Sequence, residues 1–273
     1  MSKSARGASP RWWRWLVFTV LSLAALPIIE VTAVRFFDPP ITPLMLLRPL
    51  ESRPDGHPAP ARRYTWLPLA RMPRDFLKFV LVAEDQRFFQ HHGFDWREIR
   101  AAQKQAERTG QEPRGASTIT MQCARSLFLW EGRSWIRKGL EAYYAFWMEA
   151  LLPKHRILEL YANVIEMGEG VYGIEAAARA HYGIAARELT RDQCAALAAI
   201  LPNPRGWDPR SPTPRLAARL AGHQRRRICA GFGGSGFRRS RGACHPLVAL
   251  RIPITRVVAR WRRRRRSGRG VAM

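Results

Sequence analysis

The residues best placed to do chemistry stand in one run, Glu84-Asp85-Gln86-Arg87-Phe88-Phe89-Gln90-His91-His92-Gly93-Phe94-Asp95. It sets an acid pair where an apolar helical pattern gives way to a glycine-containing turn. A carboxylate at such a helix end, half desolvated by Phe88, can act as a general base, although the same composition also reads as a solvated helix cap. A second run, Arg114-Gly115-Ala116-Ser117-Thr118-Ile119-Thr120-Met121-Gln122, puts a glycine and hydroxyls at a helix start. Free backbone N–H groups there suit a phosphate, or the hydroxyls simply cap the helix. Arg125, Arg133, Arg137 and Lys138 follow, with Glu141 on the face of the last two. That spacing fits an i,i+4 salt-bridge ladder and a diphosphate clamp around a second carboxylate equally well.

Two further patterns lead away from chemistry. Gly168-Glu169-Gly170-Val171-Tyr172-Gly173 matches a dinucleotide fingerprint by letters, but the segment before it, Lys154 to Asn163, reads as a helix where that fold needs a strand. His91 and His92 are adjacent and so point to different faces, with no third residue spaced to complete a metal site.

The elements that must position these residues are helical. Phe76, Phe79, Val80, Val82 and Ala83 fall on one helical face, and apolar-charged segments recur at Trp135 to Leu152, Ile157 to Asn163, Glu175 to Tyr182 and Gln193 to Leu201. No alternating run of useful length predicts a strand. Ahead of this region, basic residues Lys3, Arg6, Arg11 and Arg14 precede an apolar run from Trp15 to Ile29 that lacks a small-residue cleavage site, which predicts an uncleaved signal anchor. The charge asymmetry predicts a single pass with the N-terminus cytoplasmic and the rest outside, periplasmic in a bacterium. The expected organisation is a basic end and transmembrane anchor over 1–35, a Pro-rich linker over 36–63 with seven prolines between Pro39 and Pro60, one mostly α domain over 64–214, and a tail over 215–273.

Charge qualifies that picture. Forty-six bases against 21 acids give a net +25. Eighteen arginines and no acid follow Asp208, so residues 1–208 carry only +7 of it. The basicity therefore describes the tail, whose low apolar content predicts disorder and two origins: a tether to anionic lipid, or a translated frame shift. Four cysteines without paired spacing exclude a zinc ribbon or a disulfide framework.

The motifs in their order resemble one family, the monofunctional biosynthetic peptidoglycan transglycosylases of glycosyltransferase family 51. The resemblance spans about Trp66 to Pro204 and rests on E-D-x-x-F-x-x-H-x-G-x-D at Glu84, G-A-S-T-I-T-x-Q at Gly115, R-K-x-x-E at Arg137, K-x-x-I-L-E-x-Y-x-N at Lys154 and G-x-G-x-x-G-x-E-A-A-A at Gly168. It implies a lysozyme-like all-α domain behind the anchor, on the inner membrane, polymerising lipid II into β-1,4 glycan strands. It implies Glu84 as the base on the acceptor 4-hydroxyl, and Glu141 on the donor side. Asp85, Phe88, His91, Ser117, Thr118, Gln122, Arg125, Arg133 and Lys138 would bind substrate. It leaves open whether Glu141 works through a divalent cation, Mg2+ or Mn2+. Expected partners are lipid II, the growing strand, the membrane and other cell-wall synthesis proteins, with no nucleic acid. Two competing readings are a lytic glycan-cleaving enzyme, against which the arginine cluster argues, and a non-enzymatic basic membrane-anchored protein. Met121, Ser126 and Gln193 depart from the family pattern, which predicts weakened substrate contact at the first two and a lost helix-surface contact at the third.

Overall fold

The computed structural model describes residues 12–50, 60–112, 115–132 and 134–231. Arg133, linker residues 51–59, the basic residues Lys3, Arg6 and Arg11, and the tail from 232 to 273 lie outside the described residues.

The chain runs α1 (Trp12–Phe36), α2 (Pro43–Leu47), β1 (Arg63–Tyr64), α3 (Arg74–Glu84), α4 (Trp96–Thr109), α5 (Ile119–Phe128), α6 (Trp135–Leu151), α7 (Lys154–Val164), β2 (Glu166–Gly168), β3 (Val171–Tyr172), α8 (Gly173–Tyr182), α9 (Arg191–Ala199) and α10 (Pro214–Gly231). It is mostly α, as the periodicity predicts. Three very short strands add a sheet of order β1-β3-β2, parallel between β1 and β3 and antiparallel between β3 and β2. Two or three residues are too few to leave an alternating pattern in the sequence.

The central helix is α7, buried along its length from Arg156 to Val164. It packs against α5 and α8, while α5 also meets α6 and α3 meets α9. On α3 the buried residues are Phe76, Leu77, Phe79, Val80 and Leu81, whereas Val82 and Ala83 are only partly buried. The predicted face is therefore rotated at its C-terminal end. Gly173, at φ +78, opens α8 directly behind α7: a Cβ there would lie 2.3 Å from the Asn163 carbonyl oxygen, so only glycine permits this approach.

Two expected boundaries change. Part of the predicted linker is packed structure: Thr42 caps α2 by accepting from the Met45 amide, Pro43 takes the first helical position, and Leu44, Met45 and Arg48 are buried. Proline is well suited to a helix's first turn, so a proline-rich composition did not exclude a helix there. Likewise the predicted disordered tail begins as α10, held to α9 and α3 by Leu216, which is fully buried, and by the partly buried Leu220. Two apolar residues at i and i+4 dock a helix whose composition is otherwise basic.

Candidate active site

The site forms where α3 ends on the start of α5. Asp85, the first residue past α3, is buried and its carboxylate accepts from the Ile119 amide at 3.1 Å and bonds His91 Nε2 at 2.9 Å. Thr118 caps the same helix by accepting from the Met121 amide, and its hydroxyl donates to the Gly93 carbonyl at 2.6 Å. These bonds give two of the free N–H groups at the α5 N-terminus, those of Ile119 and Met121, protein partners. Asp85, Thr118 and His91 are thus buried, with Asp85 paired to His91 and Thr118 to backbone groups, and Phe88 is fully buried. These four residues lie at the junction where the end of α3 meets the start of α5. Lys154 lies over the Phe88 ring at 4.3 Å and pairs with Glu149 at 2.8 Å. Burial lowers the Lys154 pKa, partly offset by Glu149.

With that frame set, Glu84 at the last position of α3 has both oxygens engaged. Gln122 Nε2 on α5 donates to Oε2 at 3.0 Å, and Arg219 on α10 donates to Oε1 at 2.7 Å. The Gln122 amide is itself oriented by Tyr161 on α7, whose hydroxyl donates to Gln122 Oε1 at 3.1 Å. Burial, then the nearby Glu84 carboxylate, raises the Tyr161 pKa, so this phenol stays a donor at neutral pH. The motif at Lys154 thereby acquires a physical reading. Tyr161 sets Gln122, while Glu159 accepts from the Leu69 amide at 2.8 Å and Asn163 from the Leu67 amide at 2.8 Å, pinning the strand-like entry to the domain.

The second carboxylate, Glu141, is buried on α6 between Arg137 at 3.0 Å and Lys138 at 3.4 Å. Lys138 Nζ also donates to Ser117 Oγ at 2.9 Å, which ties the glycine-hydroxyl loop to α6. One turn along α5 from Gln122, Arg125 lines a cavity of about 740 Å³ shared with Arg48, Arg137 and Arg205, against Glu131 and Glu166. Four guanidiniums face two carboxylates, so the cavity favours anions. Arg125 Nε is buried with no hydrogen-bond partner among the described residues.

A divalent cation does not fit at Glu141. Its Oε2 is already paired with two cations, and no cluster of three or more His, Cys, Asp or Glu able to hold a metal exists among the described residues. Chemistry at this position is assigned to the side chains alone.

The departures from the family pattern also find places. Met121 is buried in the core, and Ser126 is buried where it lines the cavity. Gln193 closes a capping box with Thr190 at the start of α9, bonding the Thr190 amide at 2.8 Å, so no contact is lost there. Arg48, Glu166, Arg205 and Arg219 escaped sequence reasoning, while Tyr161 stood in the motif at Lys154 without a role. Arg48 alone carried a signal, as a single charge in an apolar, proline-punctuated segment.

A family model described as Transglycosylase matches residues 56–228. The chain is 43% identical over 224 residues to a biosynthetic peptidoglycan transglycosylase of Xanthomonas campestris pv. campestris (strain B100), covering 82% of this chain and 90% of that protein. The corresponding figures are 42% over 226 residues, 83% and 92%, for a protein of that name from Xylella fastidiosa (strain 9a5c). For one from Pseudomonas fluorescens (strain SBW25) they are 46% over 214 residues, 78% and 88%.

Proposed function

The chain belongs to the transglycosylase family, and from that membership we propose that Glu84 is its general base and the arginine-lined cavity its diphosphate site. It is a peptidoglycan glycosyltransferase built on a lysozyme-like helical domain, and lipid II polymerisation is the activity of this family. The observation that carries the site assignment is the pairing on α5: Gln122 holds the Glu84 carboxylate while Arg125, three residues on, faces the cationic cavity.

The proposed steps are those the family membership implies, set on that arrangement. Glu84 takes the proton of the acceptor 4-hydroxyl, and the oxygen attacks the anomeric carbon of the growing chain. The bond to the diphosphate breaks with inversion, and undecaprenyl pyrophosphate leaves. Negative charge then develops on the leaving diphosphate, where fixed cations stabilise it most effectively. Arg125 and Arg137 supply them, and Glu141 keeps Arg137 and Lys138 in place. A glycan cleaver would meet no diphosphate and would leave this cavity without a purpose. Glu84→Gln tests the assignment in a lipid II polymerisation assay in detergent. Loss of a general base costs about 10² to 10⁴ in rate, so retention of more than about a tenth of wild-type turnover refutes it.

The helix α1 is long and apolar enough to cross a membrane. We place it in the inner membrane with the N-terminus cytoplasmic and the domain on the outer side. Several contacts support this seating. The Tyr143 hydroxyl donates to the Ala24 carbonyl, the Tyr144 hydroxyl to Glu30, and Arg35 to the Leu151 carbonyl at 2.5 Å. The order of these partners makes α1 and α6 run in the same direction. The start of α6 then extends about 10 Å past Tyr143 toward the membrane-crossing part of α1. Trp135, 92% exposed, and Ile136, 76% exposed, stand there. In lipid their exposure is favourable, which fits a start of α6 that faces the membrane. A nitroxide probe on Trp135→Cys in nanodiscs tests the seating; water-like accessibility of the probe would refute it.

A further inference from the structure

The base is held from an unexpected quarter. Arg219 lies on α10, 135 residues away from Glu84 in sequence, yet its guanidinium donates to Oε1 at 2.7 Å. The Arg219 side chain is 29% exposed and that of Glu84 12%, so the pair sits at the edge of the cleft rather than on open surface. Leu216 and Leu220, three residues before and one after Arg219, dock the same side of α10 on the core. The helix is therefore seated in the register that delivers Arg219 to the carboxylate.

We infer that Arg219 is a positioning residue for the glycosyl transfer, fixing the plane and rotation of the Glu84 carboxylate; this rests on the reading of Glu84 as the base. The physical need is specific. The terminal torsion of a glutamate is broad, so one hydrogen bond leaves the carboxylate free to swing about it. Gln122 holds Oε2 from α5 and Arg219 holds Oε1 from α10. Donors on separate oxygens from separate elements leave one orientation. Each carboxylate oxygen has about two acceptor positions, so both donors can stay bonded while a remaining lone pair receives the hydroxyl proton. A guanidinium suits the task because it cannot lose its own proton and holds its donors in a rigid plane. Stability alone gives little reason for the contact, since partly exposed ion pairs contribute little.

The test is steady-state lipid II polymerisation by the full-length protein in detergent, with Arg219→Ala, Arg219→Lys and Glu84→Gln measured side by side with their melting curves. The expected result for Arg219→Ala is a fall in kcat of about tenfold or more, with KM for lipid II within about twofold of wild type and a near-unchanged melting midpoint. Free guanidinium should restore part of that kcat, and Arg219→Lys should lie between. Glu84→Gln should be inactive and unresponsive to guanidinium. If Arg219→Ala keeps kcat within about twofold while Glu84→Gln is dead, this inference fails and the base assignment stands. If Glu84→Gln remains active, the base assignment itself fails. A loss of kcat that tracks loss of the folded fraction, without rescue by guanidinium, would make Arg219 a structural contact and overturn the proposal.

Discussion

Replacing Glu141 by glutamine separates a cation-organising carboxylate from a metal ligand. In the folded protein its side chain is 2% exposed and sits against the side chains of Arg137, 10% exposed, and Lys138, 39% exposed. Removing the charge leaves two cations facing each other, one of them buried. Breaking a buried pair by deleting one partner typically costs about 3 to 5 kcal/mol. Glutamine keeps an acceptor for Arg137 and Lys138 retains some water, so about 3 kcal/mol is the reasonable figure. For a domain of this size that corresponds to a fall of about 6 to 12 °C in the melting midpoint. Thermal unfolding in detergent, with and without excess Mg2+ or Mn2+, reads it directly, and glycan synthesis should fall in the same variant. The wild-type midpoint should not rise with either ion, because two cations and one anion leave no net attraction for a third cation. Two results would refute the reasoning: a Glu141→Gln midpoint within about 2 °C of wild type, or metal-dependent stabilisation of the wild type that the variant lacks.

Tyr161→Phe removes the donor that sets the Gln122 amide, leaving a partly buried acceptor unpaired at a cost of about 1 kcal/mol, and should slow turnover without raising KM; an unchanged kcat would show that Gln122 is held by other contacts. Alkaline pH should destabilise the fold, because burial raises Tyr161 well above its ordinary pKa and Tyr182 to about 12. These phenols stay protonated in the native state while the unfolded chain ionises above about pH 10, so stability present below that pH is lost as pH rises further. Melting scans across pH 9 to 12 check the slope, and a flat profile contradicts it. A chain ending at Gly231 should keep glycan synthesis, since it retains the described α10 with Leu216, Arg219 and Leu220, and one ending before Pro214 should lose most of it with Arg219; equal activity in both would exclude a role for α10.

What the sequence disclosed and what it hid divide along a physical line. Helices with an apolar face repeating on their own length, such as α6 and α7, are visible because the periodicity is local, and α1 is visible because its run is almost wholly apolar. The acid pair at the end of α3 is visible for the same reason, since the pattern stops where the chemistry starts. Motif membership did not tell which motif residues meet solvent. Asp85 and His91 share a motif with Glu84, yet they satisfy each other and the α5 N-terminus in the interior. Such roles depend on which groups face one another after packing, and spacing carries no record of that. The hidden elements were those whose composition argues against their structure. Prolines masked α2, although one of them opens the helix, and a surplus of arginine masked α10, although Leu216 and Leu220 are enough to seat it. The contact between Glu84 and Arg219 joins a legible end to an illegible one across 135 residues. The residue proposed as the base from its sequence neighbourhood is thus held by a helix that the same reading assigns to a disordered tail.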